Sequence, residues 1–408
     1  MFLKTFLESR GPLSVAIIGL CVSMAPLAAA PLEAQDPWPA RGEDSFDTRP
    51  SDAPALPRGS ERLRVPGTDA GGPLGGGVGI DAQTRASIDR ALEYLIANQN
   101  SDGSWTDRVG RKVHNTYRGR VAPHIGVTAL AGMAFLSSGT LPGEGARRRS
   151  CDAVRKALDF IMNQSQPDGF ITANNSRMYS HAFATLFLAE AYGTAVHPDS
   201  RRIHDCLKRS VRLIVNAQNE EGGWRYLPGA PDADMSITVC QVLALRGARN
   251  AGIQVPKETI DRAVAYVKDS FVPGVGAFKY QIEKDQTPFR SRYSFALTAC
   301  GVTTLYGAGE YNAREVRDGL RYLWHYRPPR DWARERFDYF YGHYYAVQAA
   351  FQAGGAYWRG WYEWIKSDLL LLQAADGSWT DLVGSNYATA MAAIILQMPN
   401  KYLPIMEN

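Results

Sequence analysis

The residues best suited to proton chemistry lie in the stretch GGWRYLPGAPDADMSITV, Gly222 to Val239, where Asp232 and Asp234 stand two apart before an apolar run. A carboxyl group kept out of water holds its proton at neutral pH and can deliver it to a weak base. The same position suits an ordinary helix cap, because the first helical turn leaves N–H groups that a carboxylate oxygen can accept. Position alone leaves both roles open. Near the starts of this and other apolar runs fall Tyr179, Tyr226, Tyr293, Tyr341, Tyr344 and Tyr387, with Tyr339 and Tyr345 beside them. Aromatic faces stabilise cations, and phenols hydrogen-bond sugars or peptides, so these side chains serve a carbocation or a polar ligand. His181 and His343 begin apolar runs too, as ligand-facing or hydrogen-bonded wall residues. The same loops carry Arg118, Arg120, Arg177, Arg225, Arg290 and Arg292. Guanidinium groups there suit a diphosphate or carboxylate, or else make a solvated rim.

Side chains scattered this widely meet only if the chain repeats a unit that returns them to one end. The chain of 408 residues is 45% hydrophobic and 21% charged, ample for a large core. Its net charge of +4 is dispersed, with only Arg147 to Arg149 as a run, which excludes a nucleic-acid patch. From about Asp81 onward the pattern is helical, without strand signals, and two kinds of helix alternate. Ile88, Leu92, Leu95 and Ile96 follow the spacing of a helix with one wet face, as do Val154, Leu158 and Ile161. Runs such as IGVTALAGMAFL and HAFATLFLAEAYG are apolar nearly all round and must be enclosed. Six amphipathic helices, starting near Asp81, Gly145, Asp199, Lys257, Ala313 and Tyr357, are each followed by an enclosed one. The period of roughly fifty residues marks an internal repeat of helix pairs. The loop QNSDGSWTD at Gln99–Asp107 returns almost unchanged as QAADGSWTD at Gln373–Asp381. Open arrays carry atypical ends, whereas here the two ends are the most alike. The pattern therefore predicts a closed ring of six outer and six inner helices, with Trp105 and Trp379 on adjacent loops.

The Q-x-x-DGSW loops resemble the QW repeats of terpenoid cyclases and of the related protein prenyltransferase barrels, from about Asp81 to the C-terminus. The resemblance implies an all-α (α/α)6 toroid over residues 81–408, in which Gln and Trp tie neighbouring repeats together. It also implies that Asp234 corresponds to the middle Asp of the D-x-D-D-T-A motif, from which squalene-hopene cyclases protonate an alkene. Met235 stands where that motif has its last Asp, and Ser236 where it has Thr. Squalene cyclases build their site between features of two barrels, and this chain has material for one. The prenyltransferase branch holds zinc with Asp, Cys and His. The nearest candidates here, Cys240, Cys300 and His343, lack an Asp-x-Cys pair, and no D-D-x-x-D run is present. No metal or cofactor is expected.

Residues 1–30 resemble a secretory signal, with Lys4 and Arg10 before an apolar run from Leu13 to Ala29. Export is expected, with membrane anchoring through residues 13–29 as the variant if the signal is not cleaved. Residues 31–80 read as a flexible Pro/Gly-rich linker. Cys151, Cys206, Cys240 and Cys300 permit three disulfide connectivities, while the apolar surroundings of Cys240 and Cys300 suit buried free thiols. The expectation is thus an exported single-barrel toroid binding an isoprenoid, a polar small molecule or a peptide in its centre. The alternative is a cyclase-like isomerase using Asp234 as acid.

Overall fold

The computed structural model describes residues 78–110, 118–140, 148–194, 200–282, 292–335 and 338–403. The signal-like segment 1–30 and nearly all of the linker 31–80 lie outside them.

Among the described residues six helix pairs follow in chain order. They are α1 (Ala82–Ala97) with α2 (Ile125–Leu136), α3 (Arg148–Asn163) with α4 (Met178–Thr194), and α5 (Ser200–Asn216) with α6 (Met235–Asn250). Next come α7 (Lys257–Asp269) with α8 (Phe295–Gly307), then α9 (Arg314–His325), the single turn α10 (Trp332–Glu335) and α11 (Asp338–Ala353), and finally α12 (Gly355–Leu372) with α13 (Ser385–Leu396). The second member of each pair is the enclosed one: every residue of α2 and of α8 is buried except Gly307. These inner helices pack in the order α2, α4, α6, α8, α11, α13 and back to α2, and α12 returns to α1. The ring is closed.

Closure follows from the loops. Each DG loop leans on the outer helix of the next repeat. Gly103 adopts φ +90°, and a Cβ there would fall 2.2 Å from the Lys156 carbonyl oxygen; Gly377, at the same φ, would fall 2.5 Å from that of Arg90. Only glycine fits such an approach at positive φ. Gln99 Nε2 donates to the carbonyls of Ala153 (2.9 Å) and Gly103 (3.0 Å), and Gln373 Nε2 does the same to Ser87 and Gly377 (both 2.9 Å). The last loop thus grips α1 as the first grips α3. Each indole caps the end of its own outer helix, Trp105 Nε1 donating to the Leu95 carbonyl (2.8 Å) and Trp379 Nε1 to that of Leu369 (2.9 Å). As predicted, the two loops lie side by side: Arg108 N–H donates to the Val383 carbonyl (3.0 Å), and Asn386 Nδ2 to that of Thr106 (3.1 Å).

The strand-free expectation needs correction. Among the described residues two short antiparallel ribbons occur, β1 (Thr106–Val109) with β2 (Arg120–Pro123), and β3 (Phe271–Val272) with β4 (Ala277–Phe278). They let loop backbone groups pair with one another. The four described cysteines are buried and free. No helix among the described residues is long and apolar enough to cross a membrane.

Candidate functional site

Inner-helix N-termini receive the loops that precede them through one recurrent bond. The N–H groups of Trp105, Trp224, Phe278 and Trp379 donate to the hydroxyls of Thr128, Thr238, Thr298 and Thr389 at 3.0–3.2 Å. In the second repeat His181 fills this role, its Nδ1 accepting from Ile171 N–H at 3.1 Å. His181 is fully buried, its other ring nitrogen lies 3.3 Å from the Ser210 carbonyl, and burial lowers its pKa to about 4. It is therefore a neutral wall residue, not a ligand contact. In the fifth repeat His343 has the corresponding place, but the drifted loop supplies no N–H. Both ring nitrogens are buried without a partner, packed against Phe295, Tyr339 and Trp364, and burial lowers the pKa to about 3.

The third repeat is different. Asp234 is the N-cap of α6 and is fully buried. Its Oδ1 accepts from Ile237 N–H (2.9 Å) and from the Ser236 hydroxyl (2.6 Å), and its Oδ2 from Arg225 Nη1 (3.1 Å). Burial raises the proton affinity of this carboxyl, opposed by the Arg225 guanidinium and the two Oδ1 bonds. Position had left cap and acid open; the group caps its own helix and is also dry. The Tyr179 hydroxyl donates to Ser236 Oγ, so a chain of hydroxyls runs from Tyr179 through Ser236 to Asp234. Tyr341 hydroxyl donates to the Ser236 carbonyl (2.9 Å). Burial keeps the phenols of Tyr179, Tyr280 and Tyr341 neutral by raising their pKa well above the ordinary value.

Arg225 links this group to its surroundings. Its Nη1 also donates to the Tyr280 hydroxyl (3.0 Å), and its Nε lies 3.4 Å from Asp232. Asp232 is half-exposed and also accepts from Gln281 Nε2 (3.1 Å), so it braces Arg225 and is not itself a dry acid. Tyr226 and Tyr280 pair through their hydroxyls at 2.8 Å. Tyr280, absent from the sequence candidates, sits mid-loop outside any helix start; the one signal for it was its place just after the drifted loop DSFVPGVGAF.

The remaining candidates divide. Arg292 stacks over Tyr280, 5.7 Å from the ring centre, and joins the group. Tyr293 does not, packing instead on Tyr322 of α9. Tyr344 packs edge-on against Phe183, and Tyr341 against Tyr179, at 6.1 and 6.2 Å. Because α4 and α11 are opposite members of the inner ring, these aromatic pairs cross its interior. Tyr387 begins α13, its N–H bonded to Asp107 across the ring closure (2.8 Å). Arg118 and Arg120 are exposed, and Arg290 lies outside the described residues. Cys240 lies 3.1 Å from the Tyr345 hydroxyl and both Cys240 and Cys300 approach that of Tyr341, far in kind from His343 and its aromatic packing. An outer groove of about 460 Å³, lined by residues including His204, Lys208, Arg212 and Ile253, contains none of the predicted residues.

Comparison with known proteins agrees with this architecture. A family model described as the A-macroglobulin TED domain matches residues 78–226. A drimenyl diphosphate synthase of Streptomyces showdoensis is 27% identical over 203 residues, covering 50% of this chain and 33% of the relative. A second, from Streptantibioticus cattleyicolor, is 31% identical over 163 residues, covering 40% and 27%. The match thus spans a third or less of these relatives' length. Among solved structures, a type II terpene cyclase from Scytonema with merosterolic acid A, its product, superposes with TM-score 0.52 at 14% identity, covering 79% of this chain and 98% of that one. An α-1,6-mannanase of Salegentibacter sp. HEL1_6 superposes with TM-score 0.56 at 9% identity, covering 78% and 99%. Fold is shared here across different chemistries. The chain thus has the α/α toroid fold that these solved structures share, and its sequence is similar to part of the drimenyl diphosphate synthases.

Proposed function

We propose that the protein is a cyclase-like isomerase in which Asp234 protonates an alkene of an isoprenoid ligand held among Tyr179, Tyr226, Tyr280 and Tyr341. The observation that carries this reading is a fully buried carboxyl with raised proton affinity inside a shell of neutral phenols. The O–H bond of Asp234 breaks and its proton forms a C–H bond on one alkene carbon, leaving the cation on the other. A second alkene of the same ligand closes the ring onto that cation, and loss of a proton restores neutrality. Phenol faces stabilise the cation without trapping it. Where the family motif has its last Asp, Met235 stands, and Arg225 becomes the charged neighbour that orients Asp234. The relatives named drimenyl diphosphate synthases and the neighbour solved with geranylgeranyl dihydroxybenzoate support an isoprenoid as ligand.

A second reading, a toroid that holds the ligand without turnover, is favoured by one observation: every bond Asp234 makes in this structure suits its ionised form. Incubation with farnesyl and geranylgeranyl chains, followed by product analysis, separates them. We expect cyclised product from the wild type and a loss of about a thousandfold in Asp234→Asn, within the range for removing a general acid. Recovery of bound, unchanged polyene supports the holding role, and neither product nor binding sinks both. Export through residues 1–30 belongs to the same proposal, and is checked by N-terminal sequencing of the mature protein from the expressing cell.

A further inference from the structure

The outer helix of the third repeat differs in charge from its own needs. α5 holds Arg201, Arg202, Lys208, Arg209 and Arg212 against a single acid, Asp205. Arg202 pairs with Asp159 (3.0 Å), and Asp205 lies 3.3 Å from His204 Nδ1. Lys208 and Arg212 are exposed and hold no hydrogen bond or ion pair with the described residues. His204, Lys208 and Arg212 stand four apart and form one stripe along the helix; Val211 and Val215 form a second stripe beside it. Like charges at that spacing repel, so the basic stripe weakens the helix that carries it. Both stripes face the α6–α7 connection, Gly252 to Pro256, and together they line the outer groove of about 460 Å³. The titratable side chains of this lining are all bases. Its depth is apolar, with Val211 and Ile253 3% and 7% exposed. On the far wall Gln254 is exposed and holds no hydrogen bond with the described residues.

We propose that this groove docks an acidic peptide segment of a partner protein, its carboxylates on Lys208 and Arg212 and an apolar side chain seated on Val211 and Ile253. Charge complementarity carries the choice of partner: two unpaired bases repel each other until carboxylates arrive, and fixed bases also steer an acidic partner toward the groove. The spacing agrees. Lys208 and Arg212 are separated by about 6 Å of helix rise, and residues two apart in an extended segment by about 7 Å. The side chain between two such acids turns to the other side of the segment, toward the Ile253 wall. Depth favours a peptide over a lipid surface. A bilayer presents its anions on a plane and would meet the exposed bases without reaching Val211 and Ile253, whereas a single side chain can enter a groove. The lining contains none of the groups around Asp234, so the docking face is separate from the proposed acid and does not depend on it.

Fluorescence anisotropy of a labelled peptide, Gly-Asp-Phe-Asp-Leu-Asp-Gly, titrated with the full chain tests it. We expect saturable binding below about 1 mM. Lys208→Glu and Arg212→Glu should each weaken it about threefold, and the double variant about tenfold, with unchanged melting curves because neither side chain holds a bond. Replacing Phe and Leu of the peptide by Ser should cost about tenfold. The double variant should instead bind the peptide with Lys in place of each Asp, which the wild type does not; unfolding cannot produce that reversal. Absence of saturable binding overturns the proposal, as does equal binding of the Ser peptide or a double variant that binds as the wild type does. Phosphatidylglycerol vesicles bound by the wild type and not by the double variant, with the peptide unbound, would make the groove a membrane contact and overturn it too. So would self-association of the chain that the double variant abolishes, which would make it an interface between copies. Because no turnover is measured, the result is independent of the polyene incubation.

Discussion

Asp107 and Asp234 make an instructive pair. Both are buried carboxylates at inner-helix N-termini, and burial raises the proton affinity of both, that of Asp107 to about 7. Asp107 belongs to the first repeat yet accepts the Tyr387 N–H of α13, whose own cap position is Gly384 and offers no side chain. A Cβ on Gly384 would fall 1.9 Å from an Asp107 oxygen. Asp107 is therefore the bolt that closes the ring, and its partners are chiefly backbone and Asn386. Asp234 caps its own helix and is tied to a hydroxyl chain and to a cation that reaches the exterior. Burial and a raised pKa are thus common to a bolt and a candidate site; what separates them is the kind of partner each carboxyl holds, backbone and amide for Asp107, hydroxyls and a guanidinium for Asp234.

Four substitutions break or sharpen that contrast. The largest effect should come from Gly384→Val, which drives a side chain into the Asp107 carboxylate and should cost on the order of 3 kcal/mol, read as a drop in denaturation midpoint. Smaller, and distinctive in sign, is the pH dependence of the bolt. Asp107 has a folded pKa of about 7 against an ordinary 3.8, so its contribution is fully present below about pH 3.8 and is lost as pH rises through 7. Urea unfolding at pH 5 and pH 8 should give lower stability at pH 8, and Asp107→Asn should flatten the difference. An unchanged slope in that variant would mean the bolt titrates elsewhere. The smallest effect compares the two histidines. His181→Leu removes the acceptor of the Ile171 N–H and should cost about 1–3 kcal/mol, whereas His343→Leu removes two unpaired buried nitrogens and should be neutral or stabilising by about 1 kcal/mol in thermal melts.

Most of the fold was legible because its signals are local. Helical spacing, enclosed apolar runs and the Gln–Gly–Trp loops each report on a few consecutive residues, and the near identity of the end loops implied that they face the same neighbour. The site was legible only in part. Asp234, Arg225, Tyr226, Tyr179, Arg292 and Tyr341 converge, because residues at the same point of successive repeats return to one end of the ring. His181, His343 and Tyr293 begin inner helices equally well, yet their side chains point between helices. A position in the repeat specifies which end of the barrel a residue occupies, and helix phase then decides which side it faces. Tyr280 escaped notice because a loop residue carries no periodicity at all.

What the sequence determined by itself was the repeat, its count and its closure, since the first, third and last loops carry within about ten residues the glycine, glutamine and tryptophan that bind each to the next repeat. What only the tertiary structure decided was the character of its carboxylates. Whether Asp107 or Asp234 is a bolt or an acid depends on groups up to 280 positions away in the chain, as with Asp107 and Tyr387. Desolvation and charge are summed over all neighbours in space, and no local pattern encodes that sum.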